Sequence, residues 1–141
     1  MAPRLQVVAT WRGGFAADVV ARGHDVSVDE PETAGGTDTG MMPTELFCAA
    51  LASCFCLAVG FAAGKRDEDV PGLTVTVSAE RAGSDLRYEH LTVLTEAAVE
   101  PETLARLVER ARPLCWISNT LASGVAVEYV HATTVNEDFR K

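Results

Sequence analysis

From Leu46 to Gly64 the chain runs for 19 residues without a charge. That length approaches a membrane span, but the stretch is rich in Ala, Ser, Cys and Gly rather than Leu and Ile. It also lies between segments that read as strands. The sequence therefore predicts a helix buried inside a protein, apolar nearly all round, which other elements or a second subunit must cover. Pro43 suits the first helical position, where its missing N–H would be unpaired anyway. Glu45 falls in the first turn, where the helix dipole favours an anion. Gly64 with Lys65-Arg66 suits the far end.

The flanks supply the cover. Leu5 to Trp11 is rich in β-formers, Gly13-Gly14 turns the chain, and Phe15 to Ala21 reads as a second strand. Arg22-Gly23 turns into His24 to Asp29, which alternates with period two. Together these predict a β-meander. Glu30 to Met42, with Pro31, Gly35, Gly36 and Gly40, reads as a loop. After the helix, Leu73 to Ala79 alternates as a strand, and Tyr88 to Val99 is its hairpin partner across Gly83-Ser84-Asp85. Pro101-Glu102-Thr103 opens a second helix, with Leu104, Leu107, Val108 and Ala111 at helical spacing, and Pro113 breaks it. Cys115 to Ala122 reads as a short third helix stopped by Ser123-Gly124. Val125 to Val130 reads as a last strand, and Ala132 to Lys141 as a polar tail with the mobility common at termini. The organisation is one α+β domain over residues 1–141, with sheets covering a central helix.

Composition narrows the function. The 141 residues carry a formal net charge of −8. An acidic surface repels phosphates and argues against nucleic-acid and anionic-membrane partners. Met1 to Gln6 lacks the apolar core of a secretory signal, so the expected location is the cytoplasm. There the four cysteines, Cys48, Cys54, Cys56 and Cys115, are expected as thiols.

Two of them are candidates for chemistry. Cys54 lies mid-helix in an apolar run, where a free cysteine serves equally as a small core residue. A buried thiol also needs a cation or donor nearby to ionise. Cys115 follows the helix-breaking Pro113 and so falls near the start of the next helix, where unpaired N–H groups stabilise a thiolate. The alternative for Cys115 is a buried capping residue. Cys54 and Cys56 diverge by about 200° on a helix, and His24, His90 and His131 form no paired motif, so no metal site is expected. Nucleotide-binding and serine-hydrolase motifs are missing as well. Trp11 and Trp116 read first as packing residues.

The run Pro43-Thr44-Glu45-Leu46 through Cys54-Phe55, followed by Cys115, Ser118 and the closing stretch Val125 to Val130, resembles the OsmC/Ohr family of hydroperoxide reductases. That family carries Pro-x-Glu-Leu, a run of small residues and Cys-Phe, then a second Cys roughly sixty residues later. Arg22-Gly23-His24, a strand and Asp29 also look like one branch of the family. The resemblance implies an OsmC-like fold, with antiparallel sheets wrapped around a long central helix in an intertwined homodimer whose sites lie at the subunit interface. It implies reduction of organic hydroperoxides without any cofactor: Cys54 attacks the peroxide, Cys115 resolves the sulfenic acid as a disulfide, and a dithiol such as a lipoyl group restores the thiols. Cys48 and Cys56 match no catalytic position and read as core.

The chain departs from the family where a carboxylate normally follows the motif proline and holds an arginine against the thiolate. Thr44 stands there. Glu45, nine residues before Cys54, lies on the opposite helix face, and Thr44 about 80° off it. Arg12 is the preferred candidate for the arginine, with Arg22 the alternative. Trp116 replaces the usual proline after the second Cys. The resemblance places Thr44, Glu45, Phe55 and Trp116 around the substrate. Two other functions fit the same outline: a non-enzymatic dimer of this family binding a small apolar molecule, and a hot-dog-type acyl thioesterase, which would use a carboxylate on or near its helix.

Overall fold

The computed structural model describes residues 4–135. Met1 to Pro3 of the leader reading, and residues 136–141 of the polar tail, lie outside the described residues. The first three strands, β1 (Val8–Gly13), β2 (Ala16–Ala21) and β3 (His24–Val28), form an antiparallel meander in the order β1-β2-β3. Val19 pairs with Ala9 on one side and Val26 on the other. The β2–β3 turn places both Arg22 (φ 53°) and Gly23 (φ 83°) in the left-handed region, as a tight primed hairpin turn demands.

Asp29 ties this sheet to the long helix. It is buried, and its carboxylate accepts hydrogen bonds from the Glu30 N–H (2.8 Å), from the Thr37 N–H and hydroxyl (3.2 and 2.7 Å), and from the Thr39 N–H and hydroxyl (3.1 and 2.8 Å). Donors crowding one carboxylate favour its charged form. The hydroxyls of Thr37 and Thr39, then the N–H groups of Thr39 and Glu30, hold the Asp29 pKa well below the usual carboxylate range against the opposing effect of burial. Gly36 and Gly40 permit the close return of this loop, since a Cβ on either would collide with the backbone of Glu30 or Ser27. A parallel bridge between Val28 and Met41 then delivers the chain to the first helix.

That helix, α1 (Pro43–Gly64), spans 22 residues. It has the length and hydropathy of a membrane span, yet Leu51, Phe55, Ala58, Val59, Ala62 and Ala63 are buried against the chain's own elements. One of these is the hairpin of β4 (Thr74–Arg81) and β5 (Tyr88–Glu96), a separate two-stranded sheet. Val75, Val77 and Ala79 alternate with exposed Thr74, Thr76 and Ser78, so the strand turns its apolar face to α1. On another side lies α2 (Pro101–Ala111), which contributes fully buried Leu107 and Ala111. Burying a side chain such as Leu107 stabilises the fold by about 1.5–3 kcal/mol. Glu68, just past α1, accepts a 2.7 Å hydrogen bond from Arg106 of α2 and pins the two helices together.

Pro113 cannot donate to a helix interior. The chain accordingly leaves α2 at Ala111, tightens through a 3₁₀ turn at Arg112–Leu114, and restarts as α3 (Trp116–Ser123). Gly124, at φ 63°, ends α3 in the left-handed conformation expected of a helix stop.

Two expectations change. Val125 to Val130 is not a strand; it runs exposed and pairs with no other described segment. An alternating pattern makes a strand only where an edge accepts its hydrogen bonds, and this segment is paired with neither described sheet. The expected wrapping of α1 by both sheets is also only half realised within one chain. The β4–β5 sheet packs on α1, while the meander is joined to it chiefly through the Asp29 loop.

Candidate active site

Cys54 projects from the middle of α1 beside the core cluster, half-buried. Leu57, Ala58 and Phe61 follow at three, four and seven residues and so share its face. With Leu114 and Trp116 they line a groove of about 290 Å³ on which Cys54 opens. The rim is unusually apolar for a surface: Trp116 is 81% and Leu57 74% exposed. The Lys65 Nζ lies 5.2 Å from the centroid of the Phe61 ring, within the range of a cation–π contact.

Cys115 is completely buried. The break at Pro113 leaves it in an extended conformation, φ −92° and ψ 107°, as the N-cap of α3. Its carbonyl accepts the first intrahelical bond, from the Asn119 N–H at 3.1 Å, and the Asn119 side chain donates to the Pro113 carbonyl at 3.0 Å, bracing the turn from below. Burial pushes the Cys115 thiol pKa up. The Ser118 hydroxyl and N–H, the Cys54 thiol and the Ile117 N–H act against burial and leave it below the ordinary thiol value. No full capping bond closes onto the Cys115 side chain, so the two N–H groups act as nearby dipoles at a helix start. Cys54 thus packs against the core cluster that holds Cys115, although 61 residues separate them. All four cysteines are free thiols.

The other candidate residues are distributed differently. Arg12 sits in the β1–β2 hairpin, its Nε 3.1 Å from Asp18 Oδ2, both side chains near half exposure; it does not line the Cys54 groove. Arg22 occupies the exposed β2–β3 turn. Thr44 and Glu45 line a separate cavity of about 490 Å³ beside Cys48, Ala52, Val77 and Tyr88. Glu45 reaches back to accept the Met42 N–H at 2.9 Å, the capping role that its place in the first turn predicts. Phe55 is in the core, not on the groove, whereas Trp116 does line it. Cys48 and Cys56, expected in the core, are only half-buried and lie outside the core cluster that holds Cys115 and packs against Cys54. On α1 Cys56 falls about 100° from the middle of the Leu51–Phe55–Val59 face, whereas Cys48 shares the angle of that face and lies one turn before Leu51, where the cluster on α1 begins. Sequence reasoning passed over Leu57, Phe61 and Leu114 as groove residues. Helical spacing from Cys54 was enough to find the first two.

A family model for OsmC-like protein matches residues 36–130. The chain belongs to the OsmC-like family. No curated protein matches it in sequence. Among solved structures, an OsmC-like protein from Mycoplasma pneumoniae superposes with a TM-score of 0.74 at 14% identity, over 86% of this chain and 89% of that one. The organic hydroperoxide resistance protein of Elizabethkingia anophelis gives 0.63 at 24% identity, over 85% and 89%. The organic hydroperoxide resistance protein OhrB of Bacillus subtilis gives 0.60 at 26% identity, over 83% and 90%. The α+β architecture is thus the OsmC-like fold, and the paired thiols of this OsmC-like chain occur within the matched span.

Proposed function

We propose that this OsmC-like protein reduces organic hydroperoxides, with Cys54 as the attacking thiol and Cys115 as the resolving one. The observation that carries the reading is the packing of Cys54, on α1, against the core cluster that holds Cys115 at the start of α3, with Cys54 open to an apolar groove. Likeness to two organic hydroperoxide resistance proteins supports it. The Cys54 thiolate attacks an oxygen of the peroxide; the O–O bond breaks, an alcohol leaves after taking up a proton, and Cys54 becomes a sulfenic acid. The Cys115 thiolate then attacks the Cys54 sulfur, the S–O bond breaks, and the oxygen departs as water once protonated. A dithiol returns the bridge to two thiols. The proposed setting is the cytoplasm, and the proposed assembly is a homodimer.

The test is a thiol count in denaturant before and after one equivalent of an organic hydroperoxide. Loss of two of the four thiols, with one equivalent of alcohol released, is expected. An unchanged count would favour the non-enzymatic alternative, in which the groove of Leu57, Phe61 and Trp116 simply holds an apolar ligand. The thioesterase alternative lacks its carboxylate: Glu45, the one acidic residue of α1, is engaged in capping the helix.

A further inference from the structure

The two thiols differ in access and in support. Cys115 is enclosed by its own chain, and any assembly can only add to that cover. Cys54 is the member with an open face, on the groove of Leu57, Phe61, Leu114 and Trp116. Behind it, Cys115 caps the start of α3, where the Ser118 hydroxyl donates to the Cys115 carbonyl at 3.3 Å and, with the Ser118 N–H, favours the Cys115 thiolate. Thiol–disulfide exchange depends on which sulfur can be reached and on how well the other sulfur leaves as a thiolate. The attacking sulfur must also approach opposite the bond that breaks, and the groove is lined by Cys54 and not by Cys115.

We propose that a Cys54–Cys115 disulfide is reduced with one polarity: the incoming thiol bonds to Cys54 from the groove, and Cys115 is the leaving group, held by Ser118 as a positioning residue. In the first step a thiolate of a dithiol forms a bond to Cys54 Sγ, the Cys54–Cys115 bond breaks, and its electron pair stays on Cys115. In the second step the other thiol of the same molecule, deprotonated, attacks its partner sulfur and releases Cys54 as a thiolate. The dithiol ends as a disulfide, and the protein has gained two electrons, with protons taken from solvent. The inference rests on the proposed function only in needing the bridge to form.

For that reason the test forms the bridge with diamide rather than with a peroxide. The oxidised full-length chain is exposed briefly to a monothiol, N-acetylcysteamine, which cannot complete the second step. Acid quenching, alkylation of free thiols and peptide mapping then locate the adduct. The expected result is N-acetylcysteamine on Cys54 and the alkyl group on Cys115. An adduct on Cys115, an even division between the two, or failure of diamide to form this bridge overturns the proposal. A bridge that forms with diamide but not with hydroperoxide counts against the proposed function alone, and the adduct position still decides the polarity. Ser118→Ala should slow reduction of the bridge by a dithiol roughly threefold to tenfold and move the ultraviolet thiolate titration to higher pH, while Ser118→Thr restores both. Unchanged rate and titration in a folded Ser118→Ala chain would remove Ser118 from the scheme.

Discussion

Cys54, half-buried on α1, packs against the core cluster that holds the fully buried Cys115 at the start of α3, and its thiol helps to lower the Cys115 thiol pKa. Sulfurs so placed need little rearrangement to reach bonding geometry, which requires Cα atoms within about 7 Å. Peptide mapping after one equivalent of hydroperoxide should find a Cys54–Cys115 bridge. In the chain-entropy account a loop of this length stabilises the oxidised form by about 4 kcal/mol, so denaturant melts of oxidised and reduced protein should separate in that direction. A Cys48–Cys56 bridge in its place would refute the assignment.

Single substitutions separate the two roles. Cys54→Ser should abolish hydroperoxide consumption, since the other half-buried thiols, Cys48 and Cys56, do not line the groove. Cys115→Ser should react once, leaving a sulfenic acid that a dimedone-type probe traps and that excess peroxide carries to sulfinic acid. Full turnover by Cys54→Ser would sink the mechanism.

Thr44 stands where the family resemblance leads a carboxylate to be expected, yet it lines the cavity of Cys48 and Tyr88 rather than the Cys54 groove. Thr44→Glu is therefore expected to leave the pH dependence of Cys54 alkylation unchanged. A clear downward shift in that profile would show that this end of α1 acts on the thiol after all.

Asp29 sets the acid limit of the fold. Its folded pKa lies below the unfolded value of about 3.9. Its contribution to stability is thus complete above that value and is lost as pH falls through and below it. Asp29→Asn keeps the shape but removes the charge that five donors surround. Thermal melts should show the variant less stable than the wild type at neutral pH, with the gap narrowing toward pH of about 3. A gap that stays constant would assign the loss to packing rather than ionisation.

The segment after α3 carries exposed Val125, Val127, Tyr129 and Val130. Contiguous apolar surface of this kind marks an interface. Light scattering at micromolar concentration should give a dimer, and hydrogen exchange should show protection of residues 125–130 when they pair with a sheet edge of the second copy. A monomer with those amides unprotected would count against the assembly.

What the sequence determined by itself was the list of elements and their faces. Pro43, the uncharged run and Gly64 mark α1; Arg22-Gly23 marks a hairpin turn; Pro113 and Gly124 bracket α3. Each signal is local, because a proline's missing N–H or a glycine's freedom at positive φ acts on its own turn. The cysteine motif likewise announced the family. The tertiary structure alone decided which of these residues meet. Packing of α1 against α2 and α3 brings Cys115 to Cys54 and leaves Cys48 and Cys56 aside, and it separates Thr44 and Arg12 from the groove. Asp29 became the hub of a loop because Thr37 and Thr39 fold back on it, a closure that no periodicity records. Val125 to Val130 kept the pattern of a strand without becoming one, since a strand exists only with a neighbour to bond, and that neighbour is a property of the assembled sheet rather than of the segment.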